Sequence, residues 1–388
     1  MHVISPPVAL FALSCVVILY VYNLYLLALR LLLRVTPETK VISDSTYVPS
    51  VTVLVTVHNE EDLIGRRIKN LLALDYPKDR LEILIASDGS NDRTNEIVRE
   101  YEHQGGVRLL QFDRLGKSEA QNRAVLEATG DIIALTDASC LFDADYLDCL
   151  VAPFADASVG CVTANLTFGS DASSVAQSQG YYWSYELKLR EQESRLGILA
   201  VASGAAMAVR KACFYKLDPS VGEDCSLPLD VTANGFRVVH ASNANARDMM
   251  ESDPASELRT RIRMTMRNWT GTWKRPELLN PLVHPGYAFS LWSHKLLRWL
   301  SPFFLVLLVL SSIPLALTPL FWPLPLLVLV VLAAGCLGWF AERRGWRVPV
   351  AGTVWSFLLA NIGFFIGVVS AITGQRVVSY IGRRPAQR

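Results

Sequence analysis

The chain has 388 residues, enough for one large or two modest domains. Hydrophobic residues make up 51% and charged residues only 19%, so part of the chain is built for an apolar environment, and the 10% aromatics exclude a disordered chain. Lys and Arg number 37 against 36 Asp and Glu, and this charge of +1 lacks the basic footprint of a nucleic-acid binder. The seven cysteines are odd in number and form no CxxC pair, the pattern of reduced thiols rather than of a disulfide framework or zinc site.

In chain order, residues 1–29 come first and contain no Asp, Glu, Lys or Arg. The run from Val8 to Leu29 is long enough for one membrane-spanning helix. A signal peptide is the alternative, but it would place its positive charge ahead of a shorter apolar run, whereas Arg30, Arg34 and Lys40 follow this one. A retained anchor over 1–34 is expected, with the N-terminus outside and the next residues in the cytosol.

From Val51 the pattern changes. Residues 51–57 (VTVLVTV) read as a strand buried on both faces, and a helix follows over about 60–74, ended by Asp75-Tyr76-Pro77. Strands are expected at 81–86, 107–112 and 131–136, with helices at 91–103 and 118–129 between them. This alternation predicts an α/β domain with a mostly parallel sheet covered by helices.

In such a sheet, ligands sit beyond the carboxyl ends of the strands. Three strands end in polar or acidic groups: His58-Asn59-Glu60, Asp88-Gly89-Ser90 and Asp137-Ala138-Ser139. One Asp after a strand is an ordinary helix cap or turn former, but three clusters on one edge point to a site. No GxGxxG follows the first strand, which disfavours a dinucleotide oxidoreductase. Gly116-Lys117 pairs a tight turn with a cation at a helix start and suits a phosphate.

Further on, Arg259, Arg263 and Arg267 recur every four residues and form one stripe on a helix, which also reads as a basic face against water or lipid headgroups. Basic and aromatic residues over 276–298 suit an interfacial amphipathic segment. The uncharged 43 residues from Trp299 to Ala341 allow two spans turning near Pro319 and Pro323. A last apolar run, 348–375, leaves the count at two or three spans. A full third span would put the basic tail 376–388 outside, against the charge rule. The spans carry almost no ionisable residues, which argues against a transporter.

Taken together, VLVTVHNEED at 53–62, IASDGSNDRT at 85–94, the stretch 115–139 and Gly222-Glu223-Asp224 resemble glycosyltransferase family 2, and among its members the membrane-embedded hyaluronan, cellulose and poly-N-acetylglucosamine synthases. Ser203-Gly204-Ala205 and the stretch 294–302 are similar to segments of the same enzymes. The resemblance implies a GT-A fold over 48–275, a UDP-sugar donor, an inverting mechanism and an integral membrane protein with a cytosolic active site. It assigns Asp224 as catalytic base. Asn59, Glu60, Asp88, Lys117, Asp137, Arg263 and Arg267 fall on the donor side, with Asp88 at the base. Ser203, Gly204, Glu223 and Trp269 fall on the acceptor side. Asp137 opens the family's DxD motif for Mg2+ or Mn2+, and the third position is Ser139, a weaker ligand than a carboxylate.

The family's Q(Q/R)xRW element is altered to Arg267-Asn268-Trp269, which leaves processive extension less supported than transfer itself. The implied acceptor is a growing polysaccharide or a membrane lipid, with single transfer to a lipid as the alternative. Four or so spans are few for a polymer channel, which favours a homo-oligomer or an accessory membrane subunit. A multi-span transporter and a non-catalytic assembly subunit are the rivals of another class. The sequons at Asn165 and Asn268 should stay unmodified in the cytosol.

Overall fold

The structure is a computed structural model, and it describes residues 5–169, 174–248, 254–346 and 348–375. The basic tail 376–388 and Arg347 lie outside the described residues.

The elements run as follows: α1 (Pro6–Leu19), a π turn (Tyr20–Leu24), α2 (Tyr25–Val35), β1 (Val51–Val57), α3 (Ile64–Leu72), β2 (Leu81–Asp88), α4 (Thr94–Gln104), β3 (Val107–Phe112), α5 (Lys117–Glu127) and β4 (Ile132–Thr136). Then come β5 (Leu141–Phe142), α6 (Tyr146–Val151), β6 (Val159–Phe168), α7 (Ser174–Arg195), β7 (Ala206–Arg210), α8 (Glu223–Ala233), β8 (Arg237–Asp248) and α9 (Pro254–Trp273). The chain ends in α10 (Pro285–Ser290), a second π turn (Leu291–Leu296), α11 (Leu297–Leu315), α12 (Pro323–Arg343) and α13 (Pro349–Ile372).

The eight strands form one sheet in the order β3-β2-β1-β4-β7-β6-β8-β5. The first half, β3-β2-β1-β4, is parallel, as the strand–helix alternation requires. β7 runs antiparallel between β4 and β6, β6 and β8 are parallel, and β5 is antiparallel to β8. β1 is buried along nearly its whole length because helices cover both faces of the sheet. Its alternate side chains feed two cores, Val53, Val55 and Ile68 on one face and Leu54, Leu84 and Ile133 on the other.

Among the described residues, four helical stretches are long and apolar enough to cross a membrane: Pro6–Val35, Pro285–Leu315, Pro323–Arg343 and Pro349–Ile372. The third C-terminal stretch, left open by charge alone, is thus one helix of 24 residues. The interfacial segment expected over 276–298 divides differently. Pro276–Leu279 is a short 3-10 turn, while residues from Pro285 onward continue into α11. Trp299, Leu291 and Leu296 are buried there rather than laid along a surface.

α9 lies directly across α13. A Cβ at Gly367 would stand 2.6 Å from Thr265 Cβ and 3.0 Å from the Ile262 carbonyl oxygen, and one at Gly363 would meet Arg261 Cγ at 3.1 Å. Glycine at both positions lets the two backbones approach closely. Gly367→Val therefore forces α9 off α13 at a cost of about 1–3 kcal/mol. Because α9 also carries Arg267, the variant is expected to lose both thermal stability and turnover, read by melting in detergent and by initial rates.

Candidate active site

The carboxyl ends of β1, β2 and β4 meet at one edge of the sheet. A pocket there is lined by Thr56, Val57, His58, Glu60, Leu63, Asp88, Arg114, Lys117, Asp137, Ala138, Ser139 and Asp248. The three polar clusters singled out in the sequence are therefore neighbours, and the parallel register is what brings them together.

Asp88 ends β2 with a carboxylate that is almost fully buried. It accepts from Arg114 Nη1 at 2.6 Å, from the Leu115 N–H at 2.6 Å and from the Gly116 N–H at 3.0 Å. Gly116 sits at φ 88°, a left-handed conformation that suits glycine and opens α5. The carboxylate is thus occupied in holding the loop that presents Lys117. A contact from Asp88 to a base, as the resemblance implies, would have to displace one of these donors. Asn59 likewise works on a loop: at φ 55° its Oδ1 accepts from the Asn91 N–H at 2.9 Å. Glu60, by contrast, lines the pocket itself, and its N–H donates to Thr94 Oγ1 at 2.8 Å.

Lys117 joins the two halves of the site. Its Nζ stands 2.6 Å from Asp137 Oδ1 and 2.7 Å from Glu223 Oε1. Burial pulls the lysine toward neutrality, but the two carboxylates outweigh it and hold Lys117 well above its ordinary value. It is a fixed cation at the rim of the pocket.

The start of α8 supplies Glu223 and Asp224. A Cβ on Gly222 would fall 2.2 Å from Asp224 Oδ1, so only glycine leaves room for that side chain in this position. Burial would raise Glu223, yet Lys117 and Arg267 keep it below the usual carboxylate range. Asp224 behaves in the opposite way: burial and the adjacent charge of Glu223 raise it, against the pull of Arg267 and Lys117. Two adjacent carboxylates with opposed shifts are the arrangement in which one is a permanent anion and the other exchanges a proton. Arg267 donates from Nη2 to the Val221 carbonyl at 3.1 Å, one residue before Gly222. Arg263 lies one turn earlier on α9 and is partly buried.

Ser203 accepts from Arg190 Nη1 at 2.6 Å and is buried. Gly204 faces Glu223, whose Oε1 would lie 2.8 Å from a Cβ at that position. Trp269, expected on the acceptor side, is half-buried. Its ring is 5.9 Å from Trp273 and 6.3 Å from Trp299, against an apolar cluster that includes Leu229 and Leu278.

Two participants were not singled out in the sequence. Arg67 is fully buried under the pocket, donating to Thr136 Oγ1 at 2.8 Å and stacking over Phe142 at 4.0 Å. Burial lowers it to about 10, and Asp137 and Asp248 are among the groups that oppose this. Asp248 ends β8 and enters the same pocket as Asp137 and Ser139. No local motif marks either residue. A Gly-poor strand ending in Asp was the sole signal for Asp248, and Arg67 resembles any helical arginine.

Among the described residues, no three His, Cys, Asp or Glu side chains converge as a metal cage. The pocket offers instead the carboxylates of Asp137 and Asp248 and the hydroxyl of Ser139, all hard oxygen donors. That donor set fits Mg2+ or Mn2+, which take a few protein oxygens and complete their shell with water and phosphate.

Residues 52–218 match the profile of Glycosyl transferase family 2. Among curated proteins, a beta-monoglucosyldiacylglycerol synthase of Synechocystis is 34% identical over 38% of this chain, covering 33% of that protein. A poly-beta-1,6-N-acetyl-D-glucosamine synthase of Staphylococcus aureus is 26% identical over 48% of this chain, covering 47% of that protein. The chain thus spans less than half the length of either. Among solved structures, the mannosyltransferase PcManGT from Pyrobaculum calidifontis, in complex with GDP-Man and Mn2+, superposes with a TM-score of 0.73 at 23% identity. That match covers 94% of this chain and 99% of the other, and it shows that the two share a GT-A fold.

Proposed function

From a chain that carries a glycosyl transferase family 2 domain over residues 52–218, we propose a membrane-bound, inverting glycosyltransferase. It moves a sugar from a nucleoside-diphosphate sugar, a UDP-sugar by its resemblance, to a hydroxyl presented at the membrane. The observation that carries this reading is the Asp137–Lys117–Glu223 bridge, which puts a donor pocket next to the carboxylate pair at the head of α8.

In this reading, the diphosphate lies in the pocket near Lys117, and Asp137, Ser139 and Asp248 would hold the divalent cation. When bound, the cation neutralises charge on the diphosphate. Lys117 and Arg267 supply fixed positive charge around the departing oxygens, where such preorganised groups contribute most. Asp224 takes the proton of the acceptor hydroxyl as that oxygen attacks the anomeric carbon from the face opposite the leaving diphosphate. Glu223, paired with Lys117, stays ionised and orients the ammonium.

A membrane lipid is the favoured acceptor over a growing polysaccharide. Trp269, expected on the acceptor side, is half-buried against the cluster around Trp299, and the apolar helices Pro6–Val35 and Pro285–Leu315 support an acceptor that lies in a membrane. The placement of the catalytic domain in the cytosol follows from Arg30 and Arg34 after the first apolar run.

The test is to supply the purified chain, in diacylglycerol-doped liposomes, with UDP-glucose, UDP-galactose, UDP-N-acetylglucosamine and GDP-mannose in Mg2+ or Mn2+. One of them should give a glycolipid of fixed size. A ladder of lengthening product would favour the polysaccharide reading, and no release of nucleoside diphosphate from any donor would sink both. Asp248→Asn is expected to weaken Mn2+ binding about tenfold, read by electron paramagnetic resonance of the free ion, with the fold retained. Unchanged Mn2+ affinity would remove Asp248 from the ligand set.

A further inference from the structure

Away from the pocket, a buried group of ionisable side chains lies where α7 meets the apolar stretch from Pro285 to Leu315. We infer, on the glycosyltransferase reading above, that His294 is a positioning residue for the acceptor side of the transfer centre. Clasped between Glu186 and Glu193, it fixes the junction from which Ser203 and Gly204 are held toward Glu223.

The geometry is specific. His294 is fully buried, with Nδ1 2.9 Å from Glu193 Oε1 and Nε2 3.0 Å from Glu186 Oε2. Both ring nitrogens stand within hydrogen-bonding distance of carboxylate oxygens, so the ring lies between the two glutamates. Glu186 also receives Arg298 Nη1 at 2.8 Å, Lys295 Nζ at 3.3 Å and Arg190 Nε at 3.3 Å. Glu193 receives Tyr25 Oη at 2.7 Å and Ser290 Oγ at 3.0 Å, which ties in the N-terminal helix. A buried carboxylate with several charged donors is rigid, because releasing any one strands a charge in a dry interior.

Two of the four membrane-length stretches, Pro6–Val35 and Pro285–Leu315, also break their regular winding here. The π turns Tyr20–Leu24 and Leu291–Leu296 are joined by Tyr20 Oη and Ser293 Oγ, 2.8 Å apart. Such turns are uncommon and concentrate where a helix must aim particular side chains.

One arm leaves the clasp for the site. Arg190, bound to Glu186, donates to Ser203 Oγ at 2.6 Å, and the next residue, Gly204, abuts Glu223. Among the described residues, no hydrogen bond or ion pair of Glu186, Glu193 or His294 reaches a side chain that lines the donor pocket. The clasp therefore acts on the acceptor half, and it links that half to the helices an acceptor lipid would lie against.

The experiment uses the full chain in phosphatidylglycerol nanodiscs, with the nucleotide sugar transferred in the panel above and diacylglycerol at varied mole fraction as acceptor probe. His294→Gln keeps one polar contact and loses the second. It is expected to lower transfer per unit of diacylglycerol at least tenfold while the donor Kd, measured by calorimetry with Mn2+, stays within twofold. Adding Ser203→Ala should cost nothing beyond the larger single loss, because both changes act through the same arm. Donor affinity falling in step with turnover, or losses that multiply, would overturn the proposal. Where His294→Gln does not fold, Ser203→Ala alone leaves the imidazole between its two carboxylates, cuts the Arg190 arm and should show the same split. Unchanged acceptor dependence in that variant also overturns it. Failure of the functional reading is seen separately, as wild-type protein that neither transfers nor hydrolyses any donor.

Discussion

Asp224→Asn should retain donor binding and lose about 10²- to 10⁴-fold in kcat, the range that a positioned general base contributes. The substitution is nearly isosteric, so Gly222 still accommodates it and α8 keeps its start. Calorimetry with the nucleotide sugar and single-turnover rates separate the two effects. A folded variant that no longer binds donor would make Asp224 structural rather than catalytic. The pH dependence adds a second check. The base works only when ionised, and burial together with the charge of Glu223 raises Asp224. The acid limb of kcat should therefore lie above the usual carboxylate range. Glu223→Gln removes the like charge and should move that limb to lower pH. A limb that stays in place, or moves upward, would show that the two carboxylates are not coupled.

Lys117→Met carries the other large effect, and here stability and activity fall together. The lysine is 17% exposed and bridges Glu223, 6% exposed, and Asp137, 36% exposed. Without it, Glu223 is a buried carboxylate that has lost its ion-pair partner and keeps only the field of Arg267. The expected cost is about 3 kcal/mol, falling mostly on Glu223 because water screens Asp137. Denaturant unfolding in detergent would read this, and donor affinity should drop as well because the pocket loses its fixed cation. The double variant Lys117→Met/Glu223→Gln should recover part of the stability without recovering activity, since it removes the stranded charge but not the need for a cation. Equal stability of the single and double variants would mean that the bridge contributes little to the fold.

The parallel half of the sheet was legible before any coordinates. β1 through β4 fall within two residues of their expected bounds because each is a short apolar run between turn-forming residues. The antiparallel insertion of β7 between β4 and β6 was not, since strand order depends on pairings far apart in sequence. Among the site residues, Asp137 and Lys117 stood out by their places at a strand end and a helix start, whereas Asp224 was picked out only by the resemblance of Gly222-Glu223-Asp224 to the family. Arg67 and Asp248 were not, because their role comes from what the fold packs around them. Asp88 and Asn59 were found as residues, but their hydrogen bonds to loop N–H groups appear only when those loops are placed.

By itself, the sequence determined that this chain joins a parallel α/β domain to apolar helices, and it named the carboxylates at the strand ends. Hydrophobic periodicity and turn chemistry are local and survive without partners. Only the tertiary structure decided that Lys117 bridges Asp137 to Glu223, that Trp269 packs against Trp299, and that His294 lies between two glutamates. Each of these joins residues from separate elements, and long-range contacts of that kind are fixed by how the helices and the sheet pack, not by the spacing of residues along the chain.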